Sequence, residues 1–491
     1  MSPVLTPEQR RAVDSNAPRL VVQACAGAGK SSTLIRWAAA RPQARVLLLT
    51  YNRSAAEQLR SRGPANMRAS TTHALAFADV GKRYVHKLRE PRTMDVARAL
   101  GVAPLFARAT LDTVRNFLAS VQGRPGPEHV GDAARASGLD PDQLADLAGE
   151  LWRRMKDPAD SVLTLSHDGY LKLYQLAGAS PRDYTAVLLD EAQDTNPCTA
   201  QLVERITARH KVWVGDSHQS IYGFRGAIDA LAQIGNAEQA RLSVSFRFGA
   251  GVAKVATLIL QRAARADFEI VGGGADASTQ FEINPERPYA YVARTNAQVL
   301  DRAVSVVQRK SRLHYVGGEP NFQDVLDVYY LFARQPDRIA DPYVRAFGDF
   351  LSYETIAEQI DDREMKQKAA MVQKYGHDVP ALVAQVCAAH TREPDQAQVF
   401  LSTAHKAKGR EFEQVELSDG FIDLNNPRKD ERGQPLPFDP QEVNLLYVAV
   451  TRAQRALQLP VELRGWLLAQ DWDTEKLAAL GSETSVLRAA A

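Results

Sequence analysis

The stretch VVQACAGAGKSSTLIRWA, Val21 to Ala38, constrains this 491-residue chain more than any other. Val21 and Val22 read as a short buried strand, and Thr33 to Ala38 carries the apolar spacing of a helix's first turns. Between them lie the small residues Ala26, Gly27, Ala28 and Gly29, then Lys30, Ser31 and Ser32. Glycines there let backbone N–H groups curl around an anion at a helix N-terminus. Lys30 adds a point charge for outer phosphates, and the Ser31 hydroxyl suits Mg²⁺. The usual phosphate-loop pattern has Gly six residues before the Lys, where this chain has Ala24. The competing reading is an ordinary glycine-rich turn with a solvated lysine. The small residues, the GK-Ser ending and the flanking elements together weigh against it.

The stretch YTAVLLDEAQD supplies what such a loop lacks. Val187 to Leu189 read as a buried strand, with Asp190 and Glu191 at its carboxyl end, where parallel α/β sheets place ligands. Asp190 is suited to hold Mg²⁺ with Ser31, and Glu191 to orient and deprotonate an attacking water. An acidic pair after a strand is weak evidence alone. Paired with the earlier loop, it points to nucleotide hydrolysis.

Strand-like runs recur between helical patterns: RVLLLT (Arg45 to Thr50), KVWVGD (Lys211 to Asp216) and RLSVSF (Arg241 to Phe246). That alternation predicts an α/β fold with parallel sheets covered by helices. From about Gly81 to Pro181 the pattern is mostly helical, which reads as an insertion into the first sheet domain. A second α/β block opens near Arg247, includes PYAYVARTN, and resumes at QVFLSTAHKAKG. A charged helical stretch, roughly Asp337 to Pro394, interrupts it. The net charge of +2 gives no global basic field, so any nucleic-acid site must be a local groove. Cys25, Cys198 and Cys387 form neither a metal spacing nor a disulfide framework. No run approaches the ~18 apolar residues of a membrane span and no leader is apparent, so a soluble, cytoplasmic protein without membrane contact is expected.

The segments LTPEQRRAV, ACAGAGKSS, LTYNRSAAEQL, TTHALAF, LLDEAQD, VGDSHQSIYGFRGA, SFRFG, STAHKAKGREFEQV and LLYVAVTRAQRAL occur in the order of the motifs of superfamily 1 helicases. The chain resembles the UvrD, Rep and PcrA group, and LTYNRSAA and SFRFG resemble the helicase core of the F-box DNA helicases. The resemblance spans Leu5 to about Leu457. It implies two RecA-like parallel-sheet domains, each with a helical insertion. The first would comprise 1–80 and 182–246 with the insertion 81–181; the second, 247–336 and 395–491 with a reduced insertion 337–394.

The resemblance also assigns residues. Gln9 matches the glutamine that reads the adenine edge, and the turn Ala26, Gly27, Ala28, Gly29, Lys30, Ser31 and Ser32 holds the phosphates of ATP. Gln219 matches the residue linking the γ-phosphate to the DNA groove. Phe246 matches a ring stacked on the base, and Arg247 and Arg452 match two arginines that reach the γ-phosphate. Glu411 matches a ribose contact, with Lys408 and Gly409 beside the nucleotide. Tyr51, Thr72, His73, Tyr222, Phe224, Arg225 and His405 line the single-strand track. Aromatic faces hold a strand there without reading it. Departures include Phe224 where many relatives have Trp, Lys406 for a small polar residue and Arg410 for a common Leu. Implied, then, are ATP and Mg²⁺ as cofactors, single-stranded DNA and single/double-strand junctions as partners, and a monomer. Two activities stay open: a 3′→5′ translocase that unwinds DNA, or a DNA-stimulated ATPase that mainly strips proteins such as recombinase filaments from single strands.

Overall fold

Five residues of unbroken apolar or threonine side chains, Val46–Thr50, are all buried, as a strand covered on both faces requires. The computed structural model describes residues 4–223, 229–274, 279–359, 362–430 and 432–483. The chain divides into two compact units, Met1–Ala24 with Gly29–Leu242, and Ser243–Ala491 with Cys25–Ala28.

The first unit carries strands β1 (Arg19–Ala24), β2 (Val46–Thr50), β3 (Met67–Thr71), β4 (Ala186–Leu189), β5 (His210–Gly215) and β6 (Glu238–Leu242). They form one sheet in the order β3-β2-β4-β5-β1-β6, and every pairing is parallel. Leu189 pairs with Trp213, and Trp213 with Val21, so β4, β5 and β1 end almost level. The loops after Ala24, Leu189 and Gly215 therefore leave the same edge, the carboxyl edge where α/β sheets bind ligands. One face packs Val21, Leu47, Leu49, Val187 and Trp213 against Val203 and Ile206. Helix Lys30–Ala39 buries Leu34, Trp37 and Ala38, and the Arg41 guanidinium covers the Trp37 ring at 3.9 Å.

Between β3 and β4 the chain forms a helical block, including Thr93–Leu100, Pro104–Ala119, Pro141–Met155 and His167–Leu176. Its core gathers Leu111, Val114, Phe117, Leu151 and Trp152, with Phe117 edge-on to Trp152 at 5.6 Å. Into this core projects Lys172, fully buried, whose Nζ donates to the Ser120 carbonyl at 2.8 Å and lies 4.6 Å from the Phe117 ring centroid. Burial lowers its ammonium pKa from 10.5 to about 8. The unfolded chain thus binds more protons than the native one between those values. Stability from this group is present above the unfolded value and lost as pH falls through about 8, by at most about 3 kcal/mol. Lys172→Met removes that dependence. Chemical denaturation at pH 7 and pH 10 should find the variant's stability relative to wild type more favourable at pH 7.

The second unit begins inside a run that reads as one strand, RLSVSF. It is instead two: β6 ends at Leu242 in the first sheet, and β7 (Val244–Ser245) pairs with β8 (Val271–Gly272). Ser243 is the break, and its carbonyl accepts the Val271 N–H at 2.9 Å. The main sheet of this unit is β10-β11-β9-β12-β13, all parallel, from β9 (Tyr289–Ala293), β10 (Leu313–Tyr315), β11 (Val399–Thr403), β12 (Phe412–Leu417) and β13 (Ala453–Gln458). Helices Phe350–Gln359, Arg363–Tyr375 and Val379–Ala388 bring Tyr353, Val372, Val383 and Val386 into one core with Leu300, Val304 and Leu401. The charged stretch therefore closes over the second sheet. Among the described residues no helix is long and apolar enough to cross a membrane.

Candidate nucleotide site and strand track

The turn after β1 has the backbone its glycines permit. Gly27 and Gly29 take φ of +76° and +75°, and Gly29 caps helix Lys30–Ala39. A Cβ on Gly27 would also lie 2.6 Å from both Arg247 Cβ and Ser245 Oγ. Phe246 donates its N–H to the Gly27 carbonyl at 2.9 Å, and the Ala26 N–H donates to the Tyr447 hydroxyl at 3.0 Å. Nothing in the residue pattern announces that phenol.

Lys30 Nζ pairs with Glu191 Oε2 at 2.8 Å, and Ser31 Oγ donates to Asp190 Oδ2 at 2.7 Å. Burial alone would lower the Lys30 pKa, but the charges of Glu191, Asp216 and Asp190 outweigh it and hold it above its ordinary value. Burial and the adjacent Glu191 charge push the Asp190 carboxyl up to about 6, against the Lys30 charge and the Ser31 hydrogen bond. A hydroxyl and a carboxylate oxygen in contact form a donor set that fits a hard divalent cation such as Mg²⁺. Glu191 has φ of 54°, a left-handed conformation that costs a non-glycine residue and marks a held side chain.

Behind the acidic pair, Gln193 donates from Nε2 to Glu191 Oε2 at 2.7 Å and accepts the Asp216 N–H at 3.0 Å. Asp216, also buried, accepts from Gln219 Nε2 at 2.7 Å. In the second unit, Arg247 donates from Nε to Glu411 Oε1 at 2.8 Å and from Nη1 to the Thr451 carbonyl at 3.0 Å. Burial would raise the Glu411 pKa, but Arg247, Gln454 and Arg452 together hold it below its ordinary value. Arg452 is wholly buried, bonded to the carbonyls of Val448 and Arg410 and to Thr451 Oγ1. Phe246 is half exposed, and Gly409, following Lys408, has φ of +78°. Gln9 is buried, and its Oε1 accepts the Thr6 N–H in a helix cap. Ser32 accepts from Arg62 at 3.3 Å.

One cavity in the first unit is lined by Asp190 and Glu191 together with Tyr51, Thr72, His73 and Tyr222. Tyr51 and Tyr222 face each other with ring planes 8° apart and centroids at 6.4 Å. His73 Nε2 meets Asp168 Oδ1 at 3.0 Å. His405 lies on the short helix Ala404–Ala407 of the second unit. Phe224 and Arg225 lie outside the described residues.

Two family models match the chain. One, described as an AAA domain, covers residues 9–225, and one described as a UvrD-like helicase C-terminal domain covers 354–462. F-box DNA helicase 1 of Gallus gallus is 30% identical over 94% of this chain and 49% of its own length. The chain is thus similar to the UvrD-like superfamily 1 helicases. Another relative, F-box DNA helicase protein 1 of Schizosaccharomyces pombe, is 27% identical over 93% of this chain and 57% of its own length. DNA helicase IV of Escherichia coli is 26% identical over 52% of this chain and 47% of its own. The chain spans about half the length of these relatives.

In this UvrD-like chain the AAA match runs from Gln9 to Arg225, and the C-terminal match takes in His405, Lys408, Gly409, Glu411 and Arg452. Phe246 and Arg247 fall between the two spans. The geometry brings together Lys30, Ser31, Asp190 and Glu191, and separately Arg247, Glu411 and Arg452 through the contacts above. Four participants escape sequence reasoning: Gln193, Asp216, Asp168 and Tyr447. Each makes its contact with a polar or aromatic group that reads as ordinary core or surface until its partner is known.

Proposed function

We propose that this chain hydrolyses ATP to move 3′→5′ along single-stranded DNA and to separate strands at single/double-strand junctions, working as a monomer. The observation that carries this reading is the cavity shared by Asp190, Glu191 and the parallel rings of Tyr51 and Tyr222. It puts the chemistry of phosphoryl transfer and a surface for flat bases against one space.

In this reading Lys30 meets the outer phosphates, whose charge competes with Glu191 for the ammonium. Glu191, so released, orients the attacking water and takes its proton. Ser31 and Asp190 would hold Mg²⁺, which neutralises charge on the β- and γ-phosphate oxygens when bound. Gln9 and Phe246 take the base, Glu411 the ribose, and Arg247 and Arg452 the terminal phosphate. The turn Ala26 to Ser32 cradles the phosphates, with Lys408 and Gly409 beside the nucleotide and Gln219 linking it to the strand. Successive bases are about 3.4 Å apart in a strand. The 6.4 Å between Tyr51 and Tyr222 is close to twice that, so one base enters after a small opening. Thr72, His73, Phe224, Arg225 and His405 complete the track. We assign 1–80 and 182–246 to one RecA-like domain around the insertion 81–181, and 247–336 and 395–491 to another around the insertion 337–394.

Stacking contributes roughly 1–3 kcal/mol per base. Tyr51→Ala combined with Tyr222→Ala should therefore weaken single-strand affinity at least about tenfold and reduce DNA-stimulated hydrolysis, measured by fluorescence anisotropy and steady-state ATPase. Unchanged affinity would move the track elsewhere. A gel assay on duplexes tailed at the 3′ or the 5′ end tests the motor itself. Unwinding of the 3′-tailed duplex alone is expected. Displacement of a bound protein from single strands without unwinding would instead make stripping the main activity.

A further inference from the structure

We propose that Gln193 is the positioning residue that holds the Glu191 carboxylate and ties it to the segment carrying Tyr222. The inference rests on the reading of Glu191 as the residue that activates water.

Gln193 is completely buried, and both ends of its amide are used. Nε2 donates to Glu191 Oε2 at 2.7 Å and lies 3.4 Å from Asp194 Oδ2, while Oε1 accepts the Asp216 N–H at 3.0 Å. A carboxylate can only accept and a main-chain N–H can only donate, so the amide has one workable orientation. The backbone carbonyl of Gln193 also accepts from Ser220 Oγ at 3.2 Å. The residue is thus pinned to both ends of the stretch Asp216 to Ser220, two residues before Tyr222. Gly215 is shaped to this arrangement, since a Cβ there would stand 2.4 Å from Gln193 Oε1.

Two consequences follow from charge and geometry. Lys30 and Gln193 both donate to the same oxygen of Glu191. When phosphate draws Lys30 away, Gln193 keeps the carboxylate in place, which its left-handed backbone conformation requires. Beyond Glu191, the path runs through Gln193 and Asp216 to Gln219, each step a hydrogen bond of 2.7–3.0 Å. A strand seated at Tyr222 shifts the segment that contains Asp216 and Gln219, and that shift reaches Glu191 through the Gln193 amide. A buried amide satisfied at both ends transmits such a displacement because breaking either bond leaves an unpaired polar group.

Gln193→Met, Gln193→Glu, Gln219→Leu and the Gln193→Met/Gln219→Leu pair test this in the full chain. Steady-state ATP hydrolysis is measured against ATP concentration, with and without oligo-deoxythymidine, beside melting temperature. Gln193→Met should lower kcat with DNA at least tenfold and leave KM for ATP within about twofold, a split that general loosening of the fold does not produce. Gln193→Glu keeps the volume and the oxygen facing Asp216 but turns an acceptor toward Glu191. It should lose kcat similarly but melt lower, because it buries a second carboxyl against Glu191 and Asp194. Where neither Gln193 variant folds, Gln219→Leu decides the matter, and wild-type kcat with DNA in that variant overturns the inference. The pair should be no slower than its slower member, because both changes break one path. Wild-type kcat in either Gln193 variant, or losses that multiply in the pair, would overturn the inference while leaving Glu191 in its role. A wild-type chain without ATPase activity would instead remove the reading beneath it.

Discussion

Glu191→Gln is expected to cut kcat for ATP hydrolysis by about 10²–10⁴, the range a positioned general base contributes, with ATP affinity changed less than about twofold. The amide keeps the size of the side chain and an oxygen for Lys30, so the phosphate site survives. Ser31 and Asp190 keep their 2.7 Å contact. Removing the Glu191 charge also removes one of the two influences that raise the Asp190 pKa, so that carboxyl ionises more readily and stays fit for Mg²⁺. Equilibrium binding of a fluorescent ATP analogue beside steady-state turnover separates the two effects. Near-normal turnover would take Glu191 out of the chemistry.

Arg247→Lys is expected to lower kcat by about 10³, at the lower end of what arginines contribute to phosphoryl transfer. The guanidinium serves Glu411 through Nε and the Thr451 carbonyl through Nη1 while lying against Gly27 of the phosphate turn through its Cβ. A lysine keeps the charge but has no planar fork to span those partners and a phosphate. Arg452 makes a less clean test. Its guanidinium is buried on the carbonyls of Val448 and Arg410, so Arg452→Lys would leave acceptors short of donors and lower the melting temperature as well as the rate. Comparing melting temperatures of the two variants separates catalysis from packing. An Arg247→Lys protein that hydrolyses ATP at the wild-type rate would show that Arg247 serves the fold alone.

The strands that frame the site were legible because they are short and continuously apolar: β2 and β4 are buried along their whole length. The phosphate turn was legible because only glycine accepts the positive φ at Gly27 and Gly29 at little cost. RLSVSF misled because alternation continues through Ser243, and nothing in the residues marks where the chain leaves one ladder for another. β10, three residues long, is too short for periodicity to register. The hidden parts of the site are long-range pairings. His73 finds Asp168 across 95 positions, and Gln193 finds Asp216 across 23. A lone histidine or glutamine carries no trace of such a partner in its own neighbourhood. Tyr447 sits within the buried run Val443 to Val450 of its helix, so it reads as core until its hydroxyl meets the Ala26 N–H.

In the proposed function, one site couples ATP hydrolysis to a strand held beside it. Steady-state ATP hydrolysis by the full chain, with and without single-stranded DNA and with Glu191→Gln as control, tests it most directly. Mg²⁺-dependent turnover that rises severalfold or more with DNA and is lost in the Glu191 variant is the expected result. Turnover indifferent to DNA, or equal in the variant, would contradict it.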